Sequence, residues 1–330
     1  MLRSLYSGAA GLLSHRTRMD VIGNNIANVN TTAYKTQRTE FQDMLYQTLR
    51  AGGAGRNYTQ VGTGVDVAAI TANFTQGALQ STGRTLDLAI QGEGFFVLCA
   101  DPRLYTPDGN ADNNIDVDPI GGITAGTAND DIKKAMFTRD GVFYIDKDGY
   151  IVNTQGDRLL GQVDAGTNET TGSYESLRII MKYNDGNNDV ELRVATLSID
   201  SDGMIRGKYT NGDDIKFYYD NSTNNPPDNA YWGNAPTEAQ ILIATFPNKE
   251  GLKRIGQNLY EEDKDVSGEA KYQFADGNII SIASGYLEMS NVDLADQFVD
   301  MIKTQRGFQA NARTITVSDT LLEELVNLKR

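Results

Sequence analysis

The residues best suited to binding a metal ion form an acidic run in the first half of the chain. Asp108, Asn110 and Asp112 alternate in the way that supplies oxygen ligands in the first half of a calcium loop. The second half departs from that pattern, because Pro119 stands where the loop needs a bidentate acid and Asn113 replaces its central glycine. Asp108, Asn110 and Asp112 are therefore a weak calcium candidate, with a solvated acidic loop as the simpler interpretation.

Residues for catalysis are scarce. The chain has one histidine, His15, and one cysteine, Cys99. A histidine-based zinc site, a nucleophilic triad and a disulfide framework would each need more of them. Gly92 and Gly94 lack the third glycine of a dinucleotide fingerprint, and the carboxylates fall into no catalytic motif. We predict no catalytic residue, no cofactor and no enzymatic activity.

The charge of the chain excludes several classes of partner. Its formal net charge is -14, whereas proteins that coat nucleic acid or anionic lipid need a basic surface. The sequence has no run of about 20 apolar residues, so we expect no membrane insertion. Serine and glycine interrupt residues 1–13, which do not form the apolar centre of a cleaved signal peptide.

The two ends of the chain carry helical periodicity. Apolar residues recur every seven positions in each, which predicts two helices paired as a coiled-coil-like stalk. An acid follows Ser290 by three residues, which predicts a capped start for the second helix. An ordinary helical hairpin capping a globular domain is the alternative. The predicted seam residues, which we take as an assembly interface, are Leu5, Leu12, Met19 and Ile26 in the first helix and Leu294, Met301, Phe308, Ile315 and Leu322 in the second.

The middle of the chain has short runs of strand-forming residues separated by turn residues. Asp140-Gly141 and Asp148-Gly149 predict hairpins, and residues 135–160 an antiparallel meander. The fold class is therefore α+β, with terminal helices around all-β, antiparallel middle domains. The predicted domains are a helical terminal domain (1–30 and 288–330), a linker region (31–70), a main β domain (71–162 and 191–287) and a small outer β insertion (163–190). Two other polar segments, 101–134 and 221–236, also read as insertions.

An asparagine-rich run follows the first helix. Asn24, Asn25 and Asn28 carry side-chain amides that can bond to backbone groups. A simple helix end and turn explains Asn30 and Thr31 but leaves the earlier amides without a role. We therefore assign Asn24, Asn25 and Asn28 to hydrogen bonds between subunits and keep the helix end as the alternative.

Several of these segments resemble one known family. Residues 19–31, MDVIGNNIANVNT, are similar to the N-terminal signature of flagellar rod and hook proteins, and residues 285–294, GYLEMSNVDL, to their C-terminal signature. Residues 86–90 and 92–96 resemble the family's core pattern. Residues 73–77 and 321–329 look more like a hook protein than a distal rod protein.

The resemblance implies a structural subunit of the flagellar hook, which polymerises into a helical tube and acts as a flexible joint for torque. The distal rod is the alternative within the family, and a surface adhesion or binding module the alternative outside it. The implied partners are many copies of the chain itself, neighbouring rod and hook-filament junction proteins, the flagellar export apparatus and the hook cap. The implied location is the extracellular flagellum, reached without a cleaved signal peptide.

Overall fold

The computed structural model describes residues 2–50, 52–53, 55, 57–99, 135–164, 175–179, 182–184, 189–191, 196–209, 212–217, 238–277 and 279–328. The chain divides into two compact units. Unit 1 holds both ends, Met1–Thr75 and Ser290–Arg330, and unit 2 holds Gln76–Met289. The expected fold class is confirmed as two terminal helices and a largely antiparallel β middle.

Unit 1 combines two helices with four strands. An Asp293 carboxylate oxygen accepts a hydrogen bond from the Ala295 N–H at 2.8 Å, so the cap of the second helix lies three residues beyond the predicted Ser290. The elements are α1 (Leu2–Ala27), β1 (Gln37–Asp43), β2 (Tyr46–Arg50), β3 (Thr59–Gly62), β4 (Val65–Ala72) and α2 (Leu294–Asn327).

The predicted linker over residues 31–70 is wrong for most of its length. β1 pairs antiparallel with β4, and β2 with β3, which makes two two-stranded sheets. The glycine-rich residues at 52–55 drew the prediction, but strand-forming residues on both sides of them pair with each other. The chain therefore passes from α1 into paired strands.

Unit 2 is built from strands. They are β5 (Leu79–Ser81), β6 (Leu88–Gln91), β7 (Phe95–Cys99), β8 (Ala135–Thr138), β9 (Tyr144–Ile145), β10 (Ile151–Val152), β11 (Arg158–Asp164), β12 (Glu175–Ser176), β13 (Lys182–Asn184), β14 (Asp189–Glu191), β15 (Ser198–Ile199), β16 (Met204–Arg206), β17 (Glu238–Thr245), β18 (Lys253–Gly256), β19 (Leu259–Glu261), β20 (Lys271–Phe274), β21 (Ser281–Ser284) and β22 (Tyr286–Glu288). The main sheet runs in the order β15-β16-β17-β11-β7-β8-β19-β18.

Strand β7 is the centre of unit 2. All five of its residues are buried, and it pairs with β8, β11 and β17. Phe96 packs edge-to-face on Phe143, and Phe95 packs on Phe246 and Tyr260. A strand buried on both faces reads as a continuous apolar run, which is what residues 95–99 show.

The structure corrects two predictions inside unit 2. Asp140-Gly141 does not turn a hairpin, because β8 pairs with β7 and β19 while β9 pairs with β10. Residues 163–190 are not wholly an outer insertion, because Leu177 and Ile179 are fully buried in the core. The polar residues around 165–174 hid this short apolar segment. The calcium candidate, the rest of 101–134 and residues 221–236 lie outside the described residues.

Candidate assembly interface

The two terminal helices pack antiparallel through small and polar side chains. Ser4 Oγ lies 3.1 Å from Ser318 Oγ. Further along, a methyl group built on Gly11 would lie 2.5 Å from Asn311 Nδ2, so glycine leaves room there for the Asn311 side chain. At the other end the Asn25 amide donates to Gln297 Oε1 at 3.0 Å.

These contacts follow a seven-residue repeat. The residues spaced seven apart are Ser4, Gly11, Arg18 and Asn25 on α1, and Gln297, Thr304, Asn311 and Ser318 on α2. Each set is displaced from the predicted apolar set on the same helix. The predicted period is therefore present, but small and polar residues face the partner helix.

His15 occupies the middle of this helix pair. A methyl group on Gly307 would lie 2.8 Å from the His15 ring, so only glycine leaves room for the imidazole. Phe41 packs edge-on to the ring at a centroid distance of 5.8 Å. Burial, with a smaller contribution from the nearby Arg18 guanidinium, lowers the pKa of His15.

The lowered pKa predicts that acid weakens the pairing of α1 with α2. The folded chain favours neutral His15, so its contribution is complete above the ordinary pKa of 6.5 and is lost as the pH falls below that value. Since His15 is the one histidine of the chain, its imidazole resonance is assigned without ambiguity. We expect an NMR titration midpoint below that found in urea, and an equal or higher midpoint would contradict this environment.

The predicted seam residues lie beside the helix contact. Four of them on α1, Leu5, Leu12, Met19 and Ile26, are half-buried, as are Met301, Ile315 and Leu322 on α2. Leu294 is 39% exposed and Phe308 37% exposed. Of these residues, Ile315 comes within 3.1 Å of a methyl group built on Gly8.

A broad apolar surface remains uncovered on α2. The only buried residues of this helix within the described chain are Thr304 and Ser318. Its exposed large apolar side chains are Leu294, Phe298, Val299, Ile302, Phe308, Val317, Leu321, Leu325 and Val326, and exposed Leu328 follows as the C-cap. An apolar surface of this extent marks a protein-protein contact.

Asn25 does not have the role predicted for it. Its side chain is 1% exposed, and its amide donates to Gln37 O at 2.8 Å as well as to Gln297. Its carbonyl oxygen accepts from Tyr34 Oη and Gln37 N, both at 3.0 Å. All four hydrogen-bonding positions are filled within one chain, so none remains for a neighbouring subunit.

Asn24 and Asn28 remain candidates for contact between subunits. The Asn28 amide donates to Asn24 O and Oδ1, both at 2.9 Å, and the Asn24 amide donates to Tyr34 Oη at 3.2 Å. These bonds close the end of α1, as the alternative interpretation holds. Asn24 is nevertheless exposed and Asn28 half-buried.

The β2–β3 hairpin is a second apolar surface that the sequence analysis missed. Leu45, directly before β2, is 84% exposed, and Tyr58, directly before β3, is 68% exposed, while Leu49 on β2 is also exposed. Aromatic and β-branched residues, such as Tyr46 and Val61, are the signal that could have identified the strands. The glycines between them favoured a linker instead.

None of the helices in the described part of the chain combines the length and the apolar character needed to cross a membrane.

Three family models match the sequence. The one described as "Flagella basal body rod protein" matches residues 5–35, and "Flagellar basal body rod FlgEFG protein C-terminal" matches residues 283–328. The third, "Flagellar hook protein FlgE/F/G D1 domain", matches residues 127–207. Its span includes the segment 163–190, which was predicted to be a small outer β insertion.

Curated relatives match over the whole chain. The flagellar basal-body rod protein FlgG of Bacillus subtilis is 37% identical over 342 residues, covering 100% of both chains. The flagellar hook protein FlgE of Borreliella burgdorferi is 32% identical over 444 residues, again covering 100% of both. The FlgG protein of the same organism is 30% identical over 341 residues.

The fold and the uncovered helix surface define a structural protein built for contact with other chains. The relatives identify which kind, and the chain belongs to the flagellar rod and hook protein family. It is a structural component of the bacterial flagellum.

Proposed function

We propose that this chain is the subunit of the flagellar hook, in which many copies polymerise into a helical tube that transmits torque as a flexible joint. The observation that carries the proposal is the surface of α2. A helix of 34 residues buries only Thr304 and Ser318 among its described residues, and therefore needs further partners for its apolar side chains.

Neighbouring copies are suited to cover that surface. Fully burying one large apolar side chain stabilises a contact by about 1.5–3 kcal/mol, and α2 offers nine partly exposed residues of this kind. The exposed residues lie on the C-terminal helix and, in part, on the β2–β3 hairpin, so the contact need not pair identical surfaces. A contact between different surfaces builds an open helix when its rotation does not close.

In the assembled tube we expect coiled-coil-like packing between subunits in addition to the helix pair within one chain. The half-buried seam residues Leu12, Met19, Met301 and Ile315 flank the contact between α1 and α2. A helix from a neighbouring copy that packs there would complete their burial. Asn24 and Asn28, at the end of α1, can take part in the same contact.

The distal rod is the second candidate, and alignment length favours it. The FlgG relatives align over 342 and 341 residues, whereas the FlgE relative aligns over 444. The chain of 330 residues therefore matches the rod proteins in size. In either location its partners would include the neighbouring rod or hook-filament junction proteins, the export apparatus and the hook cap, and export would need no cleaved signal peptide.

A deletion strain tests the proposal. We expect basal bodies purified from it to retain the rod and lack the hook, with restoration by the intact gene on a plasmid. Electron microscopy of the purified basal bodies is the measurement. A rod that stops short in the mutant would identify the distal rod instead, and intact rods with intact hooks would overturn both assignments.

A further inference from the structure

The chain passes between its two units twice. One passage lies at residues 75–76 and the other at 289–290. In each unit, polar side chains close to the passages join the chain segment of the first passage to that of the second. These contacts differ from the apolar packing of β7 and point to a separate role.

In unit 2 the contact is made by Glu288. Its side chain is 1% exposed and that of Arg139 is 4% exposed, and Arg139 Nε lies 3.1 Å from Glu288 Oε2. Glu288 Oε1 accepts from the Gly77 N–H at 2.8 Å. Arg139 Nη2 in turn donates to Gly92 O at 2.6 Å. One buried ion pair thus ties the first and last segments of unit 2 to the main body of that unit.

Backbone pairing extends this contact. β22 pairs antiparallel with β5, from Tyr286 opposite Ser81 to Glu288 opposite Leu79. The Met289 N–H donates to Ala78 O at 2.8 Å. The two segments are therefore paired from residue 77 up to the end of unit 2.

In unit 1 the contact is made by Asn291. Its side-chain oxygen accepts from the Thr36 N–H at 2.8 Å. Its amide donates to Asn73 O at 2.8 Å and Thr75 O at 3.1 Å. Lys35, fully buried, donates from Nζ to the same Thr75 carbonyl at 2.8 Å. Asn291 thus joins the returning segment to two other segments of unit 1.

We propose that Glu288 and Asn291 are positioning residues. Each of them holds the two passages together within its own unit, and we call each of these contacts a clasp. With both clasps in place, the two passages share the torque. The inference deepens the proposed function and rests on it. A force on one passage of a clasped pair must break the clasp before that passage can move alone. Without the clasps, the load would fall on one passage at a time.

The choice of groups fits this role. A buried ion pair contributes little net stability, but loss of one partner leaves an uncompensated buried charge. The ion pair therefore favours the arrangement in which the two passages lie together over any arrangement that separates Arg139 from Glu288. Gly77 is required for it, because a methyl group there would lie 2.1 Å from Met289 O.

The test uses two variants. One is Asn291→Ala, and the other is a double variant that combines Arg139→Met and Glu288→Leu. Ser290→Ala is the control. The double variant removes both charges of the Arg139–Glu288 pair, so neither is left behind without the other. Ser290 lies between the two clasps, and its hydroxyl accepts one bond, from the Val292 N–H at 3.4 Å. Each variant is made in the full chain, both as purified protein and in a motile strain.

We expect hydrogen exchange about tenfold faster than in Ser290→Ala at the clasped amides, Thr36 in Asn291→Ala and Gly77 in the double variant. Tubes should form in normal number, and swimming speed should fall more steeply with medium viscosity than in the control strain. Hydrogen exchange equal to that of the control would overturn the proposal. Faster exchange would also overturn it if the response of swimming speed to viscosity were unchanged, or if tubes no longer formed. Should the double variant fail to fold, Asn291→Ala decides the outcome. Failure of the proposed function is seen separately, as a deletion strain that keeps both rod and hook.

Discussion

Phe308→Asp is expected to abolish tube formation while leaving unit 2 folded. Phe308 is 37% exposed and lies on α2 among the uncovered apolar residues. In the single chain the new carboxylate can remain hydrated. In the tube it would be buried without a partner, which costs about 3 kcal/mol or more at every copy. We expect no hooks on the mutant cells and an unchanged thermal unfolding transition of unit 2.

Gln309→Asp is the matched control, because it adds the same charge one position further on the same helix. Gln309 is already polar and exposed, so the substitution does not place a charge among the apolar side chains. Cells carrying Gln309→Asp should build hooks of normal number and length. Hooks of normal length with Phe308→Asp would show that neighbouring copies do not cover this part of α2.

The terminal helices were predictable because their signal is periodic and long. The apolar repeat of seven residues that begins with Leu294, Met301 and Phe308 continues through the whole C-terminal segment. A strand would show a repeat of two residues instead. The face through which each helix contacts the other within one chain was harder to predict. A search for apolar stripes passes over Gly11 and Ser318, although these small residues lie in the contact between the two helices.

The β middle was predictable where apolar runs lie between turn residues. β7 and β17 were predictable as strands because buried strands are dense in Phe, Ile and Leu. The core residues Leu177 and Ile179 were not, because they lie between polar segments and form too short a run. Strand pairing was harder still, since it depends on partners distant in sequence, as the failure at Asp140-Gly141 shows.

The asparagine-rich run shows a different limit. The sequence indicates that Asn25 needs hydrogen-bond partners, but it cannot tell a partner in the same chain from one in a neighbour. The structure supplies Tyr34 and Gln37 from the following segment and Gln297 from α2. The amide therefore fixes the helix pair to β1, which is a requirement for any assembly of the helices.

The two units also differ in what holds them together. Unit 2 buries a continuous apolar core that includes Phe96, Leu98 and Ile243, and such burial is sufficient for independent stability. Unit 1 pairs its helices through small and polar groups and leaves many large apolar residues exposed, among them Phe298, Ile302 and Phe308 on α2. We infer that unit 2 folds before assembly, whereas unit 1 gains much of its stability within the tube.

Asn25→Asp is therefore expected to destabilise unit 1 and to reduce tube formation strongly. An aspartate can still accept from Tyr34 Oη and Gln37 N, but it cannot donate to Gln37 O or to Gln297. Its second oxygen would face those two acceptors in a site that is 1% exposed. The lost bonds and the buried charge together cost about 3 kcal/mol. The measurements are hooks per cell and the dissociation temperature of purified tubes.

Asn24→Asp makes the same chemical change one residue earlier and serves as the control. Asn24 is exposed, and its side-chain oxygen already accepts from the Asn28 amide at 2.9 Å, a bond that an aspartate keeps. It loses only the bond to Tyr34 Oη at 3.2 Å. We expect hook number and dissociation temperature to fall less than in Asn25→Asp, because an exposed aspartate stays hydrated and can still accept hydrogen bonds from a neighbouring copy. An equal loss in both variants would mean that added negative charge near the end of α1 is harmful by itself, and the buried amide of Asn25 would then not be the group that fixes the helix pair to β1.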